Sequence, residues 1–225
     1  MPPATSESSA SEAVVDLLGA LAYAELCAFE HLAEDSRLAP TLGDRAAING
    51  MAAAEFGHFA RLSERLTELG ADPEASMAPF VDAIDAFHYA TTPGSWAESL
   101  VKAYVGDALA ADFYREVAAY VDADTRALVH EVLADEAHVD FAVEKVRAGI
   151  AADPRVAGRL ALWGRRLVGE ALSQAQRVAA DRDALTSLLT GTVDRPGLDL
   201  AAISRTFSRL VENHTRRMAR LGLQP

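Results

Sequence analysis

The sequence predicts an all-α chain: a four-helix bundle with one long crossover between its second and third helices, followed by two further helices. Three observations predict it. Apolar residues recur at helical spacing through most of the 225 residues, and no stretch alternates convincingly with period two. Helix-start signals of the Ser-x-x-Glu kind stand before two of the apolar stripes. Short links join helices 1–2 and 3–4, whereas residues 73–94 separate helices 2 and 3, the connectivity of bundles with a single crossover.

Taken in order, residues 1–11, rich in Pro, Ser, Ala and Glu, are expected to be a disordered tail. Ser9-Ala10-Ser11-Glu12 has the form of a capping box, and helix 1 follows with its stripe Leu18, Leu21, Ala28, Leu32. The stripe fails at Ser36 to Pro40. Gly43-Asp44 opens helix 2, which carries Ile48, Met51, Phe59, Leu62 and Leu66 until Gly70 and Asp72-Pro73 stop it. The crossover holds three prolines and at most one or two short helical turns. Ser95-Trp96-Ala97-Glu98 is the second box, and helix 3 runs to about Val121. Helix 4 follows the turn at Asp122-Ala123-Asp124 and ends near Ile150. Asp153-Pro154 caps helix 5, a loop is expected around Gly191 and Arg195-Pro196-Gly197, and Asp199 opens helix 6. The expected division is a tail over 1–11, a bundle over 12–151, and a helical extension over 152–225 packed on the bundle.

Composition narrows the function classes. Half of the residues are apolar, enough for a substantial core, yet no run reaches 18 uncharged apolar residues, so no membrane span is expected. The first residues show neither the basic nor the apolar region of a signal peptide, and Cys27 is the single cysteine, so a cytoplasmic location is expected. The net charge of −12 is unevenly placed: residues 1–154 carry 9 basic and 27 acidic groups, or −18, and residues 155–225 carry 12 arginines and 6 acids, or +6. Two explanations suit the basic end. Its arginines contact a phosphate backbone, making tRNA a candidate partner, or they pair with the acidic bundle.

The informative anomaly is an acidic residue inside each of the first four apolar stripes. Glu25 sits seven residues after Leu18 and seven before Leu32. Glu55 lies four after Met51, with His58 three further on and so on the same helix face. Asp107 is three after Tyr104, and Asp135 is seven after Leu128, with His138 again three further on. A buried carboxylate without a partner is costly, and four converging ones would repel unless cations sat between them. Two divalent ions would neutralise four carboxylates. The set matches a known template, in which two helices give one carboxylate each and two give a carboxylate-x-x-His, although Asp107 and Asp135 stand where the template has Glu. Mixed oxygen and imidazole donors suit two iron ions, with manganese as the alternative. Glu131, Glu136 and Asp112 are rival acids, and Asp112 is expected to face water. Tyr23 and Tyr104 are candidates for orienting the imidazoles, or for plain core packing.

At these residues the chain resembles the ferritin-like diiron superfamily and, more narrowly, the MiaE-like bacterial proteins, relatives of the tRNA 2-methylthio-isopentenyl-adenosine hydroxylase. The likeness is carried by Ala52-Ala53-Ala54-Glu55-Phe56-Gly57-His58-Phe59, by Lys102-Ala103-Tyr104-Val105-Gly106-Asp107 through Asp112-Phe113-Tyr114-Arg115-Glu116, and by Gly169-Glu170-Ala171-Leu172-Ser173-Gln174-Ala175-Gln176-Arg177. The resemblance implies a nonhaem diiron monooxygenase, a hydroxylase that uses O2 and the electrons of a reductase partner on an organic substrate. A monomer or homodimer is expected of such an enzyme. The competing classes are a ferroxidase or iron-handling protein and a non-catalytic helical module.

Overall fold

A computed structural model describes residues 6–134, 139–185, 191–192, 195–196 and 200–224. Helices α1 (Ser6–Asp35) and α2 (Leu42–Glu68) form the first hairpin. Helix α5 (Trp96–Ala118) begins the second, and α6 (Ala123–Val132) with α7 (Val139–Ala152) form its other arm. Thr41 caps α2 by accepting the Asp44 amide at 3.1 Å, and Ser95 caps α5 by accepting that of Glu98. The Glu98 carboxylate reaches back to the Gly94 amide at 2.8 Å, so the second box closes one residue earlier than its usual form. Ion pairs tie α2 to the opposite arm: Arg61–Glu131 at 2.6 Å and Lys145–Asp44 at 2.8 Å.

The bundle core is built by the predicted stripes. Leu17, Leu18 and Leu21 of α1 meet Leu62 and Leu66 of α2 and Val117 of α5, all at most 1% exposed. The crossover is more helical than the sequence suggests. It folds as α3 (Pro73–Met77), a 3-10 turn over Ala78–Phe80, and α4 (Val81–Ala90). Phe80 inserts into the same core, which gives the crossover its reason to order. Gly19 permits this packing, because a Cβ there would lie 2.2 Å from the Ser76 carbonyl oxygen.

Two boundaries differ from expectation. Helix α1 begins at Ser6, ahead of its capping box, so the expected tail is helical over 6–11. The fourth helix does not run unbroken to Ile150. It ends at Val132, where the Ala134 amide bonds the Glu131 carbonyl in a tightened i, i+3 turn, and helix is described again from Val139.

The last two long helices, α8 (Val156–Asp181) and α9 (Leu200–Leu221), lie against the second hairpin. Leu160, Trp163 and Leu167 of α8 share a core with Leu100 and Val101 of α5 and Met218 of α9. The Trp163 indole N–H donates to the Glu98 carbonyl at 2.9 Å. Between the two helices, where only a loop is expected, β1 (Gly191–Thr192) pairs antiparallel with β2 (Arg195–Pro196). The arginines of this half pair across to the acidic bundle: Arg182 with Asp16, Arg209 with Glu116, Arg217 with Asp112, and Arg220 with Asp140.

Candidate metal centre

Two helix turns fix the first part of the site. Glu55 and His58 share a face of α2, and Glu25 projects from the facing side of α1, whose long contact with α2 brings the three together. The His58 Nδ1 lies 3.3 Å from one Glu25 oxygen and 3.2 Å from one Glu55 oxygen. Donor atoms of Glu25, Glu55 and His58 all fall within 4.8 Å of one another, close enough to share a metal ion.

The electrostatics express the crowding. Burial, then the Glu55 carboxylate, hold the Glu25 carboxyl well above the usual carboxylate range, while His58 opposes them. His58 is pushed up to about 10, chiefly by its contacts with Glu25 and Glu55. Both directions say that the metal-free trio holds more protons than its members would in water.

A cavity of about 450 Å³ adjoins the trio, and Glu25, Glu55, His58 and Asp107 all line it. Asp107 opens onto this space from α5. The protein around the cavity desolvates its carboxyl, and Glu55 repels its charge, so it too is held well above the usual carboxylate range. Asp107 therefore shares the cavity with the trio, although it makes no described hydrogen bond to it. Asp135 and His138 lie outside the described residues, as does Glu136. Their described neighbours Leu133 and Val139 both line the cavity.

The rival acids have other partners. Glu131 is exposed and pairs with Arg61. Asp112, expected to face water, is half-buried and receives Arg217 and the Asn213 amide, each at 2.8 Å. An acid five residues from Asp107 reads as solvent-facing only until a further helix covers that side. Of the two tyrosines, Tyr23 turns from the imidazole and donates to Asp85 at 2.7 Å, whereas Tyr104 lines the cavity. Tyr114 also lines it, and burial followed by the nearby Glu25 charge raises its phenol. Tyr114 follows no ligand spacing in the sequence, and Arg216, Arg217 and Arg220 stand out there only as part of the basic end, with nothing to place them at this cavity.

A family model described as a ferritin-like domain of actinomycetes matches residues 8–192. Among solved structures, the chain superposes on a protein with aldehyde deformylating oxidase activity from Synechococcus. The TM-score is 0.71 at 22% identity, over 96% of this chain and 93% of that one. At this identity the likeness concerns the fold. A search of curated proteins finds no match.

Proposed function

This chain belongs to the ferritin-like domain family of actinomycetes, and on that premise we propose that it is a nonhaem diiron oxygenase acting on an organic substrate in the cavity. One observation carries the reading: Glu25, Glu55 and His58 converge within 4.8 Å beside a cavity that Asp107 also lines. The residues fit a metal by their chemistry. They offer hard oxygen donors and one imidazole, and the raised Glu25 and Asp107 carboxyls mark a place short of positive charge. Glu25, Glu55, His58 and Asp107 would hold iron, with manganese as the alternative, and Asp135 and His138 complete the proposed ligand set of two ions.

Bound iron would supply reduction of O2 with electrons delivered by a reductase partner. The chain supplies the rest. Leu21, Leu32 and Met51 give the cavity an apolar wall that limits water around the reacting group. Tyr104 and Tyr114 stand on that wall, and the raised Tyr114 phenol keeps its proton available for a hydrogen bond to substrate. The structural neighbour's aldehyde deformylating oxidase activity offers a second reaction for which the cavity can be tested. A modified tRNA nucleoside remains the finer reading suggested by the MiaE-like resemblance. The pairing of Arg209, Arg217 and Arg220 with bundle acids leaves a shorter cationic stripe for a tRNA backbone.

Oxygen uptake by the iron-loaded chain with an artificial electron donor tests the proposal. An oxygenase continues to consume O2 beyond the iron present, and Glu55→Ala abolishes the uptake. Uptake that stops once the added iron is oxidised, together with a large multi-subunit shell by native mass, supports the ferroxidase reading instead.

A further inference from the structure

Beside the acids of the metal centre the cavity has an apolar wall, and arginines line it from half-buried and exposed positions. Leu21, Leu32, Met51, Val132 and Ala142 belong to the wall. Arg216 and Arg220 of α9 line the cavity from exposed positions, with Arg115 and Arg217 half-buried beside them. Leu21 and Leu32 lie eleven residues apart on α1, so the wall they define runs about 16 Å along the helix.

Charge among these arginines is out of balance. Arg217 bonds Asp112 at 2.8 Å, and Arg115 approaches the same carboxylate at 3.7 Å. Arg216 has only the neutral Asn213 as a partner among the described residues. Arg220 is neutralised by Asp140 at 2.6 Å. Among the described residues, Arg115 and Arg217 thus share the Asp112 carboxylate and Arg216 has no carboxylate partner, so these three guanidiniums exceed their paired acids by two. In addition, the Arg217 Nη1 is buried without a hydrogen-bond partner. A buried guanidinium N–H without an acceptor is costly, and this one belongs to a residue on the cavity wall.

We propose that the cavity binds an organic anion, with its carboxylate or phosphate headgroup at Arg216 and Arg217 and its apolar body against Leu21, Leu32 and Met51. Arginine forks suit either headgroup by bidentate hydrogen bonding. The anchored head then places a carbon remote from it beside Glu25 and Asp107. The inference deepens the oxygenase reading and rests on it for the chemistry at that carbon, not for the binding.

Calorimetric titration of the full chain, metal-free and iron-loaded, tests it with five probes: decanoate, decyl phosphate, decanol, inorganic phosphate and a single-stranded RNA oligonucleotide. Decanoate or decyl phosphate should bind the metal-free chain at least about tenfold more tightly than decanol, since the headgroup gains charge-assisted hydrogen bonds. The tighter of the two identifies the headgroup, and inorganic phosphate alone should bind weakly. Arg216→Gln should remove most of the anion advantage and leave decanol binding unchanged, and Arg216→Lys should restore part of it. Arg216 is exposed and bound to a neutral partner, so the fold should tolerate both changes, which melting curves verify. Equal binding of decanol and decanoate, no binding of any probe, or an anion preference untouched by Arg216→Gln would each overturn the proposal. So would tight RNA binding without decanoate binding. Binding that appears only with iron and ignores Arg216→Gln would place the carboxylate on the metal, also against it. Failure of iron loading with the anion preference intact would instead remove the oxygenase reading alone.

Discussion

At Glu25, burial and the neighbouring Glu55 oppose ionisation, and His58 relieves them only in part. An unfolded glutamate ionises near pH 4.3, so the raised folded value stabilises the metal-free fold below that pH, and the contribution is lost as pH rises through the folded value. His58 acts in the same direction. Its contribution is full below about pH 6.5, the unfolded value, and disappears as pH climbs through about 10. Metal-free protein should therefore lose melting temperature relative to a Glu25→Gln variant as pH rises from about 4.3 toward neutrality, measured by calorimetry. A metal would displace these protons, so its affinity should rise over the same interval. Glu25, Glu55 and His58 were legible in the sequence because each breaks an apolar stripe at helical spacing. Tyr114 was not, and Arg217 was legible only as one arginine of the basic end. Their place at the cavity comes from how α5 and α9 are docked, which no local pattern records.

Helix α9 is held by polar contacts as much as by its apolar edge. Asp112 of α5 receives both Arg217 and Asn213, and its side chain is 10% exposed against 17% for Arg217. Asp112→Ala would strand a mostly buried guanidinium, costing about 2 kcal/mol or more. A chain of this length should then melt about 4–8 °C lower, as circular dichroism can measure. The sequence made α5 and α9 legible as helices but not as partners. Glu98 and Ser95 announced the start of α5 by local capping chemistry, which needs only neighbouring residues. The end of α6 at Val132 carried no such announcement, since neither Gly nor Pro stands there. The helical crossover was hidden for a related reason. Its order depends on Phe80 reaching the distant core of Leu17 and Leu18.

Across the whole molecule, the acidic front and basic end of the sequence are largely one feature. Arg182 bonds Asp16 of α1, with Nε at 3.0 Å, and Arg159 lies 3.3 Å from Glu98 of α5, so the two charge blocks partly neutralise each other on folding. At the cavity, arginines of α9 and the acids Glu25 and Asp107 line the same space. Among the described residues no helix is long and apolar enough to cross a membrane. Iron content tests most directly whether Glu25, Glu55 and Asp107 hold iron. After anaerobic loading with ferrous iron and desalting, the full chain should retain about two irons per molecule, following the template of paired carboxylates and carboxylate–histidine motifs. Glu55→Ala should lose most of them while remaining folded. A chain that retains no iron, or whose iron content is the same with and without Glu55, would contradict the account.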